Sequence, residues 1–136
     1  MFDIDTLFSA ARAARANAYA PYSRFKVGAA VVGASGRIYA GCNVENAAYP
    51  QGTCAEAGAL CAMAAAGETR ILAALVTADA PCVTPCGGCR QKLAEFGGPA
   101  TPVHCADLEK IVATFSLQDL LPHAFAPDHP RADAGR

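Results

Sequence analysis

The residues with the most chemistry in this chain of 136 lie in two short stretches, Thr53-Cys54-Ala55-Glu56 and Pro85-Cys86-Gly87-Gly88-Cys89-Arg90-Gln91. A Cys-x-x-Cys pair alone fits half of a structural zinc site or a redox pair. A third cysteine that opens a different helix, two residues before a glutamate, changes the reading. Three thiolates fill three corners of the tetrahedron that Zn²⁺ prefers and leave the fourth for water. Zinc lowers the pKa of such a water from about 15.7 toward neutrality, and Glu56, beside a ligand but unable to be one, can handle its proton. Helix N-termini at Cys54 and Cys86 would favour the ionised sulfurs. A purely structural zinc site would need a second close Cys pair, and the sequence has none. Cys82 competes with Cys86 as a ligand, but the helix-opening Pro85-Cys86 context favours Cys86.

The rest of the composition fits a metal in a reducing setting. Seven cysteines, at 42, 54, 61, 82, 86, 89 and 105, cannot all pair within one chain. The opening Met1-Phe2-Asp3-Ile4-Asp5 has two acids and no basic segment, so no secretory signal is expected and a cytoplasmic protein is. No run of about 18 apolar residues reads as a membrane span. A net charge of −1 speaks against nucleic acid or an anionic membrane as partner, since both reward clustered Lys and Arg. The apolar fraction is 53%, much of it Ala, with no Trp. The implied core is modest, and assembly into an oligomer is expected.

The elements that must position these groups follow from pattern. Asp3 to Ala18 reads as a helix, with Ile4, Leu7, Phe8 and Ala11 on one face, Asp3 or Asp5 as N-cap, and a break at Pro21. Val27 to Ala34 and Ile38 to Val44 read as a hairpin turning at Ser35-Gly36. Asn46 to Gly52 is a loop, and Cys54 to Ala66 a helix ending at Gly67. Ile71 to Ala78 is an apolar run of the kind buried on both faces of a sheet. A loop from Asp79 to Pro85 leads to a helix from about Cys86 to Phe96, and Val103 and Cys105 lie on a short strand. Asp107 to Thr114 and Leu117 to Leu121 read as helical pieces. Residues 1–125 form one domain in this reading, and Ala126 to Arg136 a frayed tail. A hairpin followed by alternating helices and strands predicts a mixed sheet covered on both faces, an α/β/α sandwich.

The chain resembles the cytidine deaminase family, and among its members the short type with three cysteine ligands. The likeness runs beyond the Cys-Ala-Glu and Pro-Cys-x-x-Cys motifs. It includes Ala20-Pro21-Tyr22-Ser23-x-Phe25-x-Val27-Gly28-Ala29-Ala30, Gly41-Cys42-Asn43-Val44-Glu45-Asn46-Ala47 and Leu120-Leu121-Pro122-x-x-Phe125. The resemblance implies a three-layer sandwich around a mixed five-stranded sheet. It implies one zinc held by Cys54, Cys86 and Cys89, with Glu56 as general acid and base. Water activated there would attack C4 of cytidine and of deoxycytidine, releasing ammonia and leaving uridine or deoxyuridine, a step of pyrimidine salvage. Asn43 and Glu45, two apart on a strand, match the residues that hold the ribose hydroxyls. Phe25 matches the aromatic beside the pyrimidine, backbone near Ala55 would read the base edge, and Phe125 would close a neighbouring subunit's site in a homotetramer. Arg90 and Gln91 would support the ligands without reacting.

One position departs from the pattern. The family commonly reads Cys-Ala-Glu-Arg, and its Arg reduces the charge on the thiolates; here residue 57 is Ala. Gly58 and Lys26 also differ from the commonest family residues and suggest no role. Cys42, Cys61 and Cys105 read as core packing, and His104, His123 and His129 have no ligand spacing. Two other readings stand beside cytidine: a deaminase for another amino-pyrimidine nucleoside of the blasticidin S type, and a zinc-binding protein without catalysis. The Asn43–Glu45 pair favours an ordinary ribose.

Overall fold

The computed structural model describes residues 2–126. Helix α1 spans Ile4–Ala16, and Asp3 caps it by accepting from the Asp5 amide. Strands β1 (Val27–Gly33) and β2 (Ile38–Cys42) form the antiparallel hairpin. Helix α2 (Ala55–Ala65) follows, then β3 (Ile71–Ala78), helix α3 (Gly87–Phe96), β4 (Pro102–Ala106), β5 (Ile111–Ser116) and a short α4 (Leu117–Leu120). The sheet order is β2-β1-β3-β4-β5. Among the described strands only β3 and β4 pair in parallel, linked by the α3 crossover, so the sheet is mixed, as expected.

Helices cover both faces. On one, α1 buries Leu7 and Ala11 against Ala30, Val32, Ala73 and Leu75. On the other, α2, α3 and α4 bring Leu60, Met63, Leu93 and Leu120 onto Val31, Ala74 and Val103. Small residues let the layers approach closely. A Cβ on Gly28 would lie 2.0 Å from the Ala11 carbonyl oxygen of α1, and one on Gly41 would lie 2.4 Å from the Ala59 nitrogen of α2. Gly41 thus sets the depth at which the first turns of α2, and with them Cys54 and Glu56, sit on the sheet.

Three expectations are corrected. Asp107 to Thr114 is not helical: it is a turn followed by β5. The Asp107 carboxylate accepts from the Glu109 and Lys110 amides at 2.7 and 2.8 Å, which closes a hairpin from β4. Asp-Leu-Glu-Lys favours helix locally, but Asp bonding to its own following amides makes a turn, and Ile111, Val112 and Thr114 favour strand. Strand β2 ends at Cys42, so Asn43 and Glu45 lie beyond it; Val44 instead forms isolated bridges with Tyr19 and Thr53. Cys61 is exposed rather than buried. The tail expected from Ala126 to Arg136 lies, except for Ala126, outside the described residues.

Candidate metal centre and active site

Two helix starts converge. Cys54 is the extended N-cap of α2, and Cys86 the extended N-cap of α3, with Cys89 in the first turn of α3. The Val44–Thr53 bridge, with N–H···O distances of 2.9 Å in both directions, delivers Cys54 beside the segment that follows β2. The Cys86 side is held by Arg90. Its guanidinium donates to the Pro85 carbonyl at 2.8 Å, the Leu120 carbonyl at 2.9 Å and the Thr84 hydroxyl at 3.3 Å.

The sulfurs of Cys54, Cys86 and Cys89 all lie within 4.8 Å of one another. Those of Cys54 and Cys86 are 3.8 Å apart. Zn–S bonds of about 2.3 Å at a tetrahedral angle separate sulfurs by about 3.8 Å, so the cluster fits zinc in donor type, number and spacing. Cys82 is outside this cluster. Cys89 is fully buried; Cys54 and Cys86 are open.

The electrostatics differ from thiol to thiol. The Cys89 amide, in the first turn of α3, donates to the Cys86 sulfur and holds its pKa below the ordinary thiol value against the opposing effect of burial. Burial raises Cys54, and the neighbouring Cys86 adds to the shift. Cys89 is pushed far up, first by burial and then by the charges of Glu56, Cys54 and Cys86. Glu56 is 5% exposed, a carboxylate position that is rare without a task or a partner. Burial raises its pKa, opposed by its own amide, the Cys89 thiol and the charge of Lys92.

A cavity of about 220 Å³ opens on these groups, lined by Cys54, Ala55, Glu56 and Cys86 together with Phe25, Val27, Asn43, Val76, Val83 and Thr84. Of the residues expected in the site, the fold thus gathers Phe25, Asn43, Cys54, Ala55, Glu56 and Cys86 around one space, with Cys89 behind them. The Asn43 amide is engaged on both sides: its oxygen accepts from the Val27 amide and its nitrogen donates to the Phe25 carbonyl, each at 2.8 Å.

Glu45 does not line that cavity. It faces a neighbouring hollow with Tyr22, Ser23 and Tyr49. There it accepts from the Tyr22 and Ser23 amides at 2.9 and 3.1 Å and from the Ser23 hydroxyl, which holds its carboxyl below the usual range. Phe125 is 77% exposed, and its carbonyl accepts from the Gln91 side chain at 3.1 Å. Val83 and Thr84 were not anticipated; their place just before Pro85-Cys86 was the available signal.

Comparison with known proteins agrees with this geometry. Residues 1–105 match the family described as cytidine and deoxycytidylate deaminase zinc-binding region. The chain is 43% identical over 127 residues to a cytidine deaminase of Mycobacterium tuberculosis, covering 93% of this chain and 92% of the relative. It is 40% identical over 127 residues to a cytidine deaminase of Sporosarcina psychrophila, covering 93% of each. The crystal structure of cytidine deaminase from Burkholderia pseudomallei superposes with a TM-score of 0.86 at 44% identity, covering 90% of this chain and 99% of that one. With three cysteine sulfurs at zinc spacing beside a buried glutamate, on the matching fold, this chain belongs to the cytidine and deoxycytidylate deaminase family.

Proposed function

We infer that this chain, as one catalytic domain over residues 1–125, hydrolyses cytidine and deoxycytidine to uridine or deoxyuridine and ammonia. The observation that carries the reading is that Cys54, Cys86 and Glu56 line one cavity with Phe25 and Asn43. When bound by Cys54, Cys86 and Cys89, zinc supplies the Lewis acid that makes water a nucleophile near neutral pH. Glu56 takes the proton given up by that water and places it on N3 of the ring. As the tetrahedral carbon collapses, Glu56 takes the hydroxyl proton and gives it to the departing amine. One water is consumed and one ammonia released, and the carboxylate ends as it began.

The other residues bind and orient. Phe25 borders the base, and the first amides of α2 near Ala55 read its edge. Asn43 holds the ribose. Both its backbone bonds leave capacity unused, since an amide carries two N–H groups and its oxygen two lone pairs. Glu45, which faces the hollow beside that cavity, is the second ribose contact where the sugar extends out of the cavity toward it. Its carboxylate has about four acceptor sites, and three are filled from Tyr22 and Ser23. Arg90 and Gln91 support the site through the backbone they hold.

Phe125 reaches the site of a neighbouring subunit in a homotetramer, a reading supported by its exposure and by the exposed apolar groove between α2 and α3. Seven free thiols suit the reducing cytoplasm. Among the described residues, no helix is long and apolar enough to cross a membrane.

The test is an ultraviolet assay of the purified protein on cytidine, deoxycytidine, cytosine and blasticidin S, with metal analysis of the same sample. Turnover of the two nucleosides with about one zinc per chain is the expected result. Turnover of blasticidin S alone would move the substrate assignment, and bound zinc without any turnover would make the chain a binding protein. Light scattering of the same sample reads the subunit number.

A further inference from the structure

Three thiolates on Zn²⁺ leave the centre with a net formal charge of −1, and the Glu56 carboxylate stands beside it. A partly buried anionic centre needs a cation nearby. Residue 57, one helical step from Glu56, is Ala and supplies none. Arg90 is committed to the carbonyls of Pro85 and Leu120 and to the Thr84 hydroxyl.

Lys92 is a second cation on the helix that carries Cys89. It lies on α3 one turn beyond Gly88, and helical side chains lean back toward the helix N-terminus. Gly88 has no side chain to obstruct it. The Lys92 Nζ lies 3.7 Å from where a Cβ on Gly88 would be, alongside the turn that begins at Cys86 and carries Cys89. An ammonium over the first turn of a helix opposes the helix dipole and is disfavoured unless an anion sits there. The Lys92 side chain has no hydrogen bond or ion pair among the described residues, so its charge is not spent on another carboxylate.

We propose that Lys92 is the positioning cation of the metal centre: folded back over Gly88, its ammonium offsets the charge of the Cys54–Cys86–Cys89 thiolates and strengthens their hold on zinc. The inference rests on zinc binding at these three cysteines. Lys92 touches neither substrate nor metal and acts only through its field.

The experiment measures zinc affinity by competition with a chromophoric chelator at fixed neutral pH, in wild type, Lys92→Met, Lys92→Glu and Lys92→Arg. Lys92 is exposed in the single chain but lines the groove between α2 and α3, so thermal unfolding and light scattering check that each variant folds and keeps the wild-type subunit number. A unit charge acting across partly hydrated protein implies that Lys92→Met holds zinc about three- to tenfold more weakly at low salt. Lys92→Glu is weaker still, and Lys92→Arg stays near wild type. The differences shrink at about 1 M salt, where the screening length is near 3 Å. Equal affinity in wild type, Lys92→Met and Lys92→Glu at low salt overturns the proposal, as does a Lys92→Arg loss as large as that of Lys92→Met. A wild type that binds no zinc would refute the metal centre itself, a different result from zinc bound equally by all variants.

Discussion

The side-chain nitrogen of Asn43 donates to the Phe25 carbonyl at 2.8 Å, while its oxygen accepts from the Val27 amide at the same distance. One side chain thereby spans the entry to β1 and orders the backbone that carries Phe25. Asn43→Ala removes both bonds, and the exposed groups regain water only in part. A stability loss of about 1–3 kcal/mol follows. On the proposed ribose role of Asn43, the cytidine KM should rise more than kcat falls, because that side chain positions substrate and carries no proton. Denaturant unfolding and steady-state kinetics check this, and an unchanged KM would remove Asn43 from the nucleoside site.

Glu45 gives a pH dependence with a definite sign. Hydrogen bonds from the Ser23 hydroxyl, the Ser23 amide and the Tyr22 amide lower its folded pKa below the ordinary 4.5. Its anchoring of the Tyr22–Ser23 turn is therefore fully present above pH 4.5 and is lost as pH falls through the lower folded value. Glu45→Gln should flatten that acidic stability loss and raise KM at neutral pH. Thermal unfolding from pH 3 to 7 in both proteins reads the difference; identical acid limbs would mean that the carboxylate anchors nothing.

The metal centre was legible in the sequence because its signals are local: cysteines at helix starts, a glutamate two residues on, and a proline before Cys86. The sandwich was legible because β1, β2 and β3 are runs of small and β-branched residues bounded by turns. Local signals failed where a short segment had two plausible structures. Asp107-Leu108-Glu109-Lys110 has helical propensity, yet the carboxylate of Asp107 takes the two following amides and the chain turns into β5. The separation of Glu45 from the cavity was illegible for another reason: it depends on Ser23 and Tyr22, which come from before β1 and meet Glu45 only in the fold. Cys61 was misplaced because its helix is apolar nearly all round, which hides which face the sheet takes.

Glu56→Gln tests the proton carrier apart from the metal. The amide is nearly isosteric with the carboxyl in this buried position and leaves Cys54, Cys86 and Cys89 in place. Zinc content and melting temperature should stay close to wild type while kcat falls by about 10²–10⁴. Retained activity would assign the proton steps to another group. Loss of zinc together with activity would show Glu56 acting on the metal site rather than on substrate.

Gly41 tests whether the depth of α2 matters to the centre. It pairs with Ala29 in the hairpin, and a Cβ there would lie 2.4 Å from the Ala59 nitrogen and 2.6 Å from the Ala55 carbonyl oxygen. Both are helix backbone, which cannot swing aside as a side chain can. Gly41→Ala must lift the first turns of α2 from the sheet, at a cost of about 1–3 kcal/mol typical of overpacking. Because Cys54 caps that helix, the lift also widens the sulfur triangle, so zinc retention should fall along with stability. Gly98→Ala is the control, since a Cβ there meets nothing within 4 Å. Calorimetry and chelator competition on the two variants separate the effects. A Gly41→Ala protein that loses stability but keeps wild-type zinc affinity would show that α2 yields at its far end and leaves Cys54 in register with Cys86.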